Sequence, residues 1–91
     1  MKAKEFETKL KNMKNRDEIV FTDEITNEKL TIEKRMGLFL MRISIGNYHI
    51  SSIYADVVKE NPYVDEGVIL FNDDNEIGRM DVYRFKQKVY E

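Results

Sequence analysis

Cysteine and tryptophan are missing from the chain, proline occurs once (Pro62), histidine once (His49) and glycine four times. Without cysteine there are no thiol nucleophiles, no thiolate zinc sites and no disulfide staples. A secreted domain this small is often stapled, so a reducing, cytoplasmic setting is expected. Gly37, Gly46, Gly67 and Gly78 stand alone, which excludes a glycine-rich phosphate loop and any glycine-rich linker. No stretch approaches the roughly 20 apolar residues of a membrane span. The opening MKAKEFETKLKNMKNRDE is charged throughout and lacks the apolar core of a signal peptide. A strong positive balance is also lacking. The net charge is −2, and between Asp56 and Asp81 eight acids face only Lys59 and Arg79. Nucleic-acid binders carry the opposite footprint, so general nucleic-acid binding is disfavoured.

What is present is the composition of a folded protein. Apolar residues make up 42% and charged residues 35% of 91 residues, with five Phe and five Tyr to fill a small core. One globular domain over residues 1–91 is expected.

Ala3, Phe6, Leu10 and Met13 recur at helical spacing and predict an amphipathic helix over residues 3–14, supported by Glu5–Lys9 and Glu7–Lys11 pairs. From Glu18 the pattern changes to short β-rich runs: EIVFT (18–22) and KLTIEK (29–34) around the polar DEITNE, then GLFLMRISI (37–45) and YHISSIY (48–54) around Gly46–Asn47. Glycine at the first of two loop positions suits a type II′ hairpin turn. That turn would pair Ser44 with His49, Ile43 with Ile50 and Arg42 with Ser51. It would put Arg42, Ser44, His49 and Ser51 on the polar face, with Tyr48 and Tyr54 on the other. SSIYADVVKE predicts a short second helix from about Tyr54 to Glu60, with Ser52 as its N-cap. GVILF (67–71) reads as a buried strand, NDDNE (72–76) as a turn, and residues 77–90 as an end strand with Tyr83, Phe85 and Val89 on one side. Gly78 within it marks a bulge or a close backbone approach. The expected fold is α+β: an N-terminal helix on a mainly antiparallel, bent five- to six-stranded sheet, compatible with a small SH3- or Sm-like barrel, plus the short second helix.

His49 invites comparison with a Ser–His–Asp set, with Ser44, Ser51 and Asp56 near it. No strained nucleophile turn accompanies them, and a solvated hairpin face offers no oxyanion hole. A hydrolytic role for His49 is therefore the third reading, and no catalytic residue is assigned. Arg42, Ser44, His49 and Ser51 form one candidate anion site, and Arg84, Lys86 and Lys88 on the end strand form another. A nucleotide-like anion held there is the second reading. NDDNEIGRMD fails as a calcium loop, because Ile77 stands where a ligand is required and Arg84 falls at the position of the bidentate Glu. No metal and no cofactor are expected. The favoured reading is a non-enzymatic binding protein that docks another protein through the acidic residues Asp65, Glu66, Asp73, Asp74, Glu76 and Asp81. A short, cysteine-free chain rich in Lys, Glu, Asn and Ile has the composition of phage or mobile-element accessory proteins, which makes inhibition of a host or defence protein the expected role. Homodimerisation is compatible with a small β-rich domain, and no membrane association is expected.

Overall fold

A computed structural model of the chain describes residues 1–23, 25–64 and 66–88, with the backbone alone at 87 and 88. Among the described residues one helix, α1 (Ala3–Lys11), precedes eight strands: β1 (Glu18–Asp23), β2 (Glu28–Arg35), β3 (Leu38–Ile45), β4 (Tyr48–Ala55), β5 (Val57–Glu60), β6 (Gly67–Asn72), β7 (Asn75–Asp81) and β8 (Lys86–Lys88). The strands form two antiparallel sheets. The larger is the meander β4-β3-β2-β1 with the three-residue β8 added beside β1, and the smaller is β5-β6-β7. The α+β class and the antiparallel pairing agree with the sequence. The ladders remain two open sheets rather than one closed barrel, and their strands outnumber the five or six expected.

The chain passes between the sheets at two places. β4 runs into β5 through a bend at Asp56, whose N–H is bonded to the Phe71 carbonyl at 2.9 Å. β7 reaches β8 through a turn in which Val82 and Phe85 are buried and the Phe85 N–H is bonded to the Val82 carbonyl. Side chains alternate across a strand, so each sheet turns one apolar face inward. Phe21, Leu30, Ile32, Phe39 and Met41 from the larger sheet meet Val58, Val68 and Leu70 from the smaller. Helix α1 contributes Ala3, Phe6 and Leu10, with Met13 buried just beyond its end as the spacing requires. The rings of Phe6 and Phe21 lie 5.2 Å apart, tilted by 44°. α1 also lies along β5, where Glu7 Oε2 accepts the Glu60 N–H at 3.1 Å while Lys11 holds Oε1. The expected Glu7–Lys11 pair thus helps the helix cover a strand edge.

Two expectations are corrected. Residues 54–60 are not a second helix: Ser51–Ala55 pair with β3, and Val57–Glu60 pair with β6. A seven-residue helix is marginal alone, whereas this segment satisfies its backbone against two strands and its β-branched residues suit a pleated surface. The Ser52 hydroxyl, expected as the N-cap, instead shares a hydrogen bond with His49 Nε2 at 3.0 Å. Residues 77–88 are not one strand either. Asp73 and Asp74, both at positive φ (51° and 64°), make a two-residue turn of type I′ character. β7 therefore starts at Asn75 and stops at Asp81, and Tyr83 is exposed although Phe85 is buried. Val89, on the same expected side, lies outside the described residues. Gly78 behaves as its position implied. A bulge falls next to it, between Leu70 and Phe71 of the partner strand, and a Cβ there would sit 3.5 Å from Ile53 Cδ1.

Candidate functional site

The turn at Gly46 (φ 56°) sets Ile45 opposite Tyr48 and Ser44 opposite His49, as the sequence predicts. A register shift then intervenes: Ile43 faces Ser51, Arg42 faces Ser52 and Leu40 faces Tyr54, leaving Ile50 as the extra residue of a β-bulge. One inserted residue flips everything that follows it. Ser51 therefore leaves the Arg42 face, while Ser52 and Tyr54 join it.

Arg42 is not a free anion ligand. Its Nη2 lies 3.8 Å from Glu18 Oε2 and 3.7 Å from Glu33 Oε2, and an anion would compete with both carboxylates. Glu33 accepts from Arg35 Nε at 2.8 Å; that hydrogen bond and the charges of Arg35 and Arg42 outweigh the opposing effect of burial and hold its carboxyl below the ordinary value. His49 is exposed and shares its side-chain hydrogen bond with Ser52, and Asp56 Oδ2 accepts the Asp73 N–H at 3.1 Å. Serine, histidine and aspartate thus do not form a chain of hydrogen bonds.

The acidic residues are divided. Glu66 and Asp81 lie at one end of the β6–β7 hairpin; Asp73, Asp74 and Glu76 lie at the other, about 17 Å away for five strand steps. Asp65 is outside the described residues. Glu76 is paired with Arg79. Asp73 and Asp74 are exposed beside Asp56, and the neighbouring Asn72 side chain donates to the Tyr54 carbonyl, so this turn flanks the C-terminal end of β4. Among the described residues no cluster of His, Asp or Glu could hold a metal ion.

Two features carry chemistry. The first is the outer edge of β4. Tyr48, His49, Ile50, Ser51 and Ser52 are all exposed, and the strand from Tyr48 to Ala55 contains no Asp, Glu, Lys or Arg. The other sheet edges are managed: β5 is covered by α1, β7 carries Glu76, Arg79 and Asp81, and β8 begins with Lys86. Charged or covered edges are the usual defence against unwanted strand pairing. The bulge at Ile50 twists β4 but adds no charge.

The second is a groove of about 520 Å³ at the opposite edge of the larger sheet, lined by Asp23, Ile25, Thr26, Tyr83, Arg84 and Lys86. Asp23 is 3% exposed, and its Oδ1 accepts the N–H groups of Ile25 (3.0 Å) and Thr26 (3.3 Å). Burial works to raise its carboxyl, but these bonds, the Thr26 hydroxyl and the Arg84 charge outweigh it and hold the group below its ordinary value. Arg84 sits 3.6 Å from Asp23 Oδ2, donates to Glu28 Oε2 at 2.9 Å and lies over the Phe85 ring. The sequence pointed to Arg84 and Lys86 and missed Asp23. Its only trace was an Asp opening a polar hairpin loop, where its side chain caps the turn. The Lys88 side chain lies outside the described residues.

No helix among the described residues is long and apolar enough to cross a membrane. Comparison with known family models, curated proteins and solved structures finds no match to this chain.

Proposed function

We propose that this protein is a non-enzymatic binding protein that engages another polypeptide along the β4 edge. The observation that carries the reading is the contrast among edges: among the described residues β4 alone exposes five consecutive residues without a charge or a cover over them. An extended segment laid against such an edge gains backbone hydrogen bonds, and alternate side chains give it specificity. Tyr48, Ile50 and Tyr54 supply exposed apolar area, 80%, 54% and 46% accessible. β4 runs toward the Asp73–Asp74 turn, so the preferred partner segment is apolar with a basic flank, and the acidic end steers it. Inhibition of a host or defence protein follows on this reading where the added strand occupies an edge that the partner needs for its own contacts.

The test is affinity capture with tagged wild-type protein beside Ile50→Lys and Ser51→Lys, both substitutions at exposed positions. A partner retained by the wild type and lost by both variants supports the reading. Equal retention by all three refutes it.

A further inference from the structure

We infer that the groove between the α1–β1 loop and the β2–β3 turn binds the doubly charged phosphate group of a small ligand. The groove shares no residue with the β4 edge. It has a volume of about 390 Å³, within the range of small-molecule sites, and is lined by Asn15, Arg16, Glu33, Lys34, Arg35 and Met36. Three observations carry the assignment.

The first is a positive charge that survives pairing. Arg42 and Arg84 are each answered by two carboxylates. In this groove Glu33 cancels Arg35, whose Nε it holds at 2.8 Å, and Arg42 Nη2 approaches the same carboxylate at 3.7 Å from outside the lining. Arg16 and Lys34 remain, and among the described residues neither has a carboxylate partner. Outside the lining, the acid beside Arg16 in the chain is Asp17. Its Oδ2 accepts the Lys14 N–H at 2.9 Å, and the Lys14 charge offsets its own. Two unanswered cations suit a dianion, and a phosphate monoester brings nearly two negative charges with three acceptor oxygens.

The second is that the donors are fixed in place. The Arg16 N–H donates to the Lys34 carbonyl at 2.8 Å and the Lys34 N–H to the Asp17 carbonyl at 3.0 Å, which straps the loop to β2. Lys34 Nζ donates to the Met13 carbonyl at 3.1 Å and lies over the Phe39 ring, keeping two of its three N–H groups for a ligand. Asn15 Oδ1 accepts the Gly37 N–H at 3.1 Å, so the NH2 end of its amide is left as a further donor. Groups ordered before a ligand arrives lose little freedom when it binds.

The third is where the backbone is strained. Arg16 and Met36, at φ 78° and 50°, occupy the left-handed region that glycine and asparagine favour, and both line this groove. Strain of this kind collects at ligand sites, where the side chain at that place is worth its conformational cost. Met36, 94% exposed, supplies an aliphatic flank for the organic part of an ester.

The experiment titrates the full chain, at constant ionic strength and followed by amide resonances, with n-butyl phosphate, inorganic phosphate and n-butanol. Saturable shifts at residues 14–17 and 33–37 are expected with the phosphates and not with the alcohol. Tighter binding of the butyl ester assigns the site to organic monoesters; equal or tighter binding of inorganic phosphate assigns it to free phosphate. Arg16→Asn, which suits the left-handed position, should melt no lower than the wild type yet bind about tenfold more weakly, the loss expected of one charge-assisted hydrogen bond. Lys34→Gln should lose as much. Lys29→Gln, at an exposed position five residues back along β2, should lose nothing. Four outcomes overturn the inference: no saturable shift with either phosphate, equal shifts with the alcohol, wild-type affinity in both Arg16→Asn and Lys34→Gln, or an equal loss in Lys29→Gln.

Discussion

Replacing Phe6 with alanine removes the ring that joins α1 to both sheets. Phe6 is fully buried, packs against Phe21 at 5.2 Å between ring centroids, and belongs to a core cluster that includes Leu10, Val58 and Phe85. Burying such a side chain stabilises by about 1.5–3 kcal/mol through transfer alone. The void left by truncation adds to the loss, and Phe→Ala in a closed core costs about 3–5 kcal/mol. A chain of 91 residues at about 0.05–0.15 kcal/mol per residue has only about 5–14 kcal/mol to lose. Phe6→Ala should therefore unfold a large share of the population or lower the melting temperature by more than about 12 °C. Phe6→Leu, which keeps much of the volume, should cost under about 1.5 kcal/mol. The assay is urea unfolding followed by far-ultraviolet circular dichroism, with the midpoints of the three proteins compared at constant slope. The loss has a second consequence: a loosened α1 withdraws Glu7 from the Glu60 N–H and uncovers β5, so Phe6→Ala should also self-associate as the concentration rises. A loss below about 1 kcal/mol in Phe6→Ala, with no change in association, would refute the docking of the helix described here.

Other expectations follow from single residues. Met36 stands at φ 50° beside Gly37 at φ 81° in the β2–β3 turn and is 94% exposed, so Met36→Asn, which creates the favoured Asn–Gly pair, should raise stability by about 0.5–1 kcal/mol in urea unfolding; no gain would contradict the left-handed turn. Folding lowers the Asp23 carboxyl below its ordinary value of 3.8. Its stabilising contribution is thus complete above that value and lost as pH falls through the lower folded one, so between about pH 4 and pH 2 the wild type should lose more stability than Asp23→Asn. Equal acid limbs would show that the carboxylate gains nothing from Arg84 and the turn. Reversing Asp73 and Asp74 to lysine should slow partner association by about tenfold at low salt and by less at high salt, and should also cost about 1–2 kcal/mol of stability because both positions are left-handed; association rates that ignore both the substitution and the salt would remove these residues from the binding face.

How far the sequence discloses this molecule depends on the range of each interaction. The helix was legible because Ala3, Phe6, Leu10 and Met13 are close in the chain and all four are buried. The β3–β4 turn was legible because Gly46 suits the backbone twist that the turn demands. The register beyond it was not, because Ile50 looks like any other apolar residue of an alternating strand, and only the ladder with β3 reveals that it has no partner. The β4–β5 bend is illegible for a related reason: Ile53, Val57 and Val58 fit one helical face as well as they fit two strands, and pairing with β3 and β6 decides between them. Arg84 and Lys86 were visible as cations, but the carboxylates that fix Arg84 come from residues 23 and 28, more than fifty positions away, and no local pattern links them.

The most direct test of the β4 edge as the working surface is site-specific photo-crosslinking in living cells, with the reactive side chain placed in turn at Ile50, Ser51 and Arg79. Discrete adducts to one partner from positions 50 and 51, and none from position 79 on the charged β7 edge, are the expected result. No adduct at the two β4 positions, or the same adducts from all three, would contradict it.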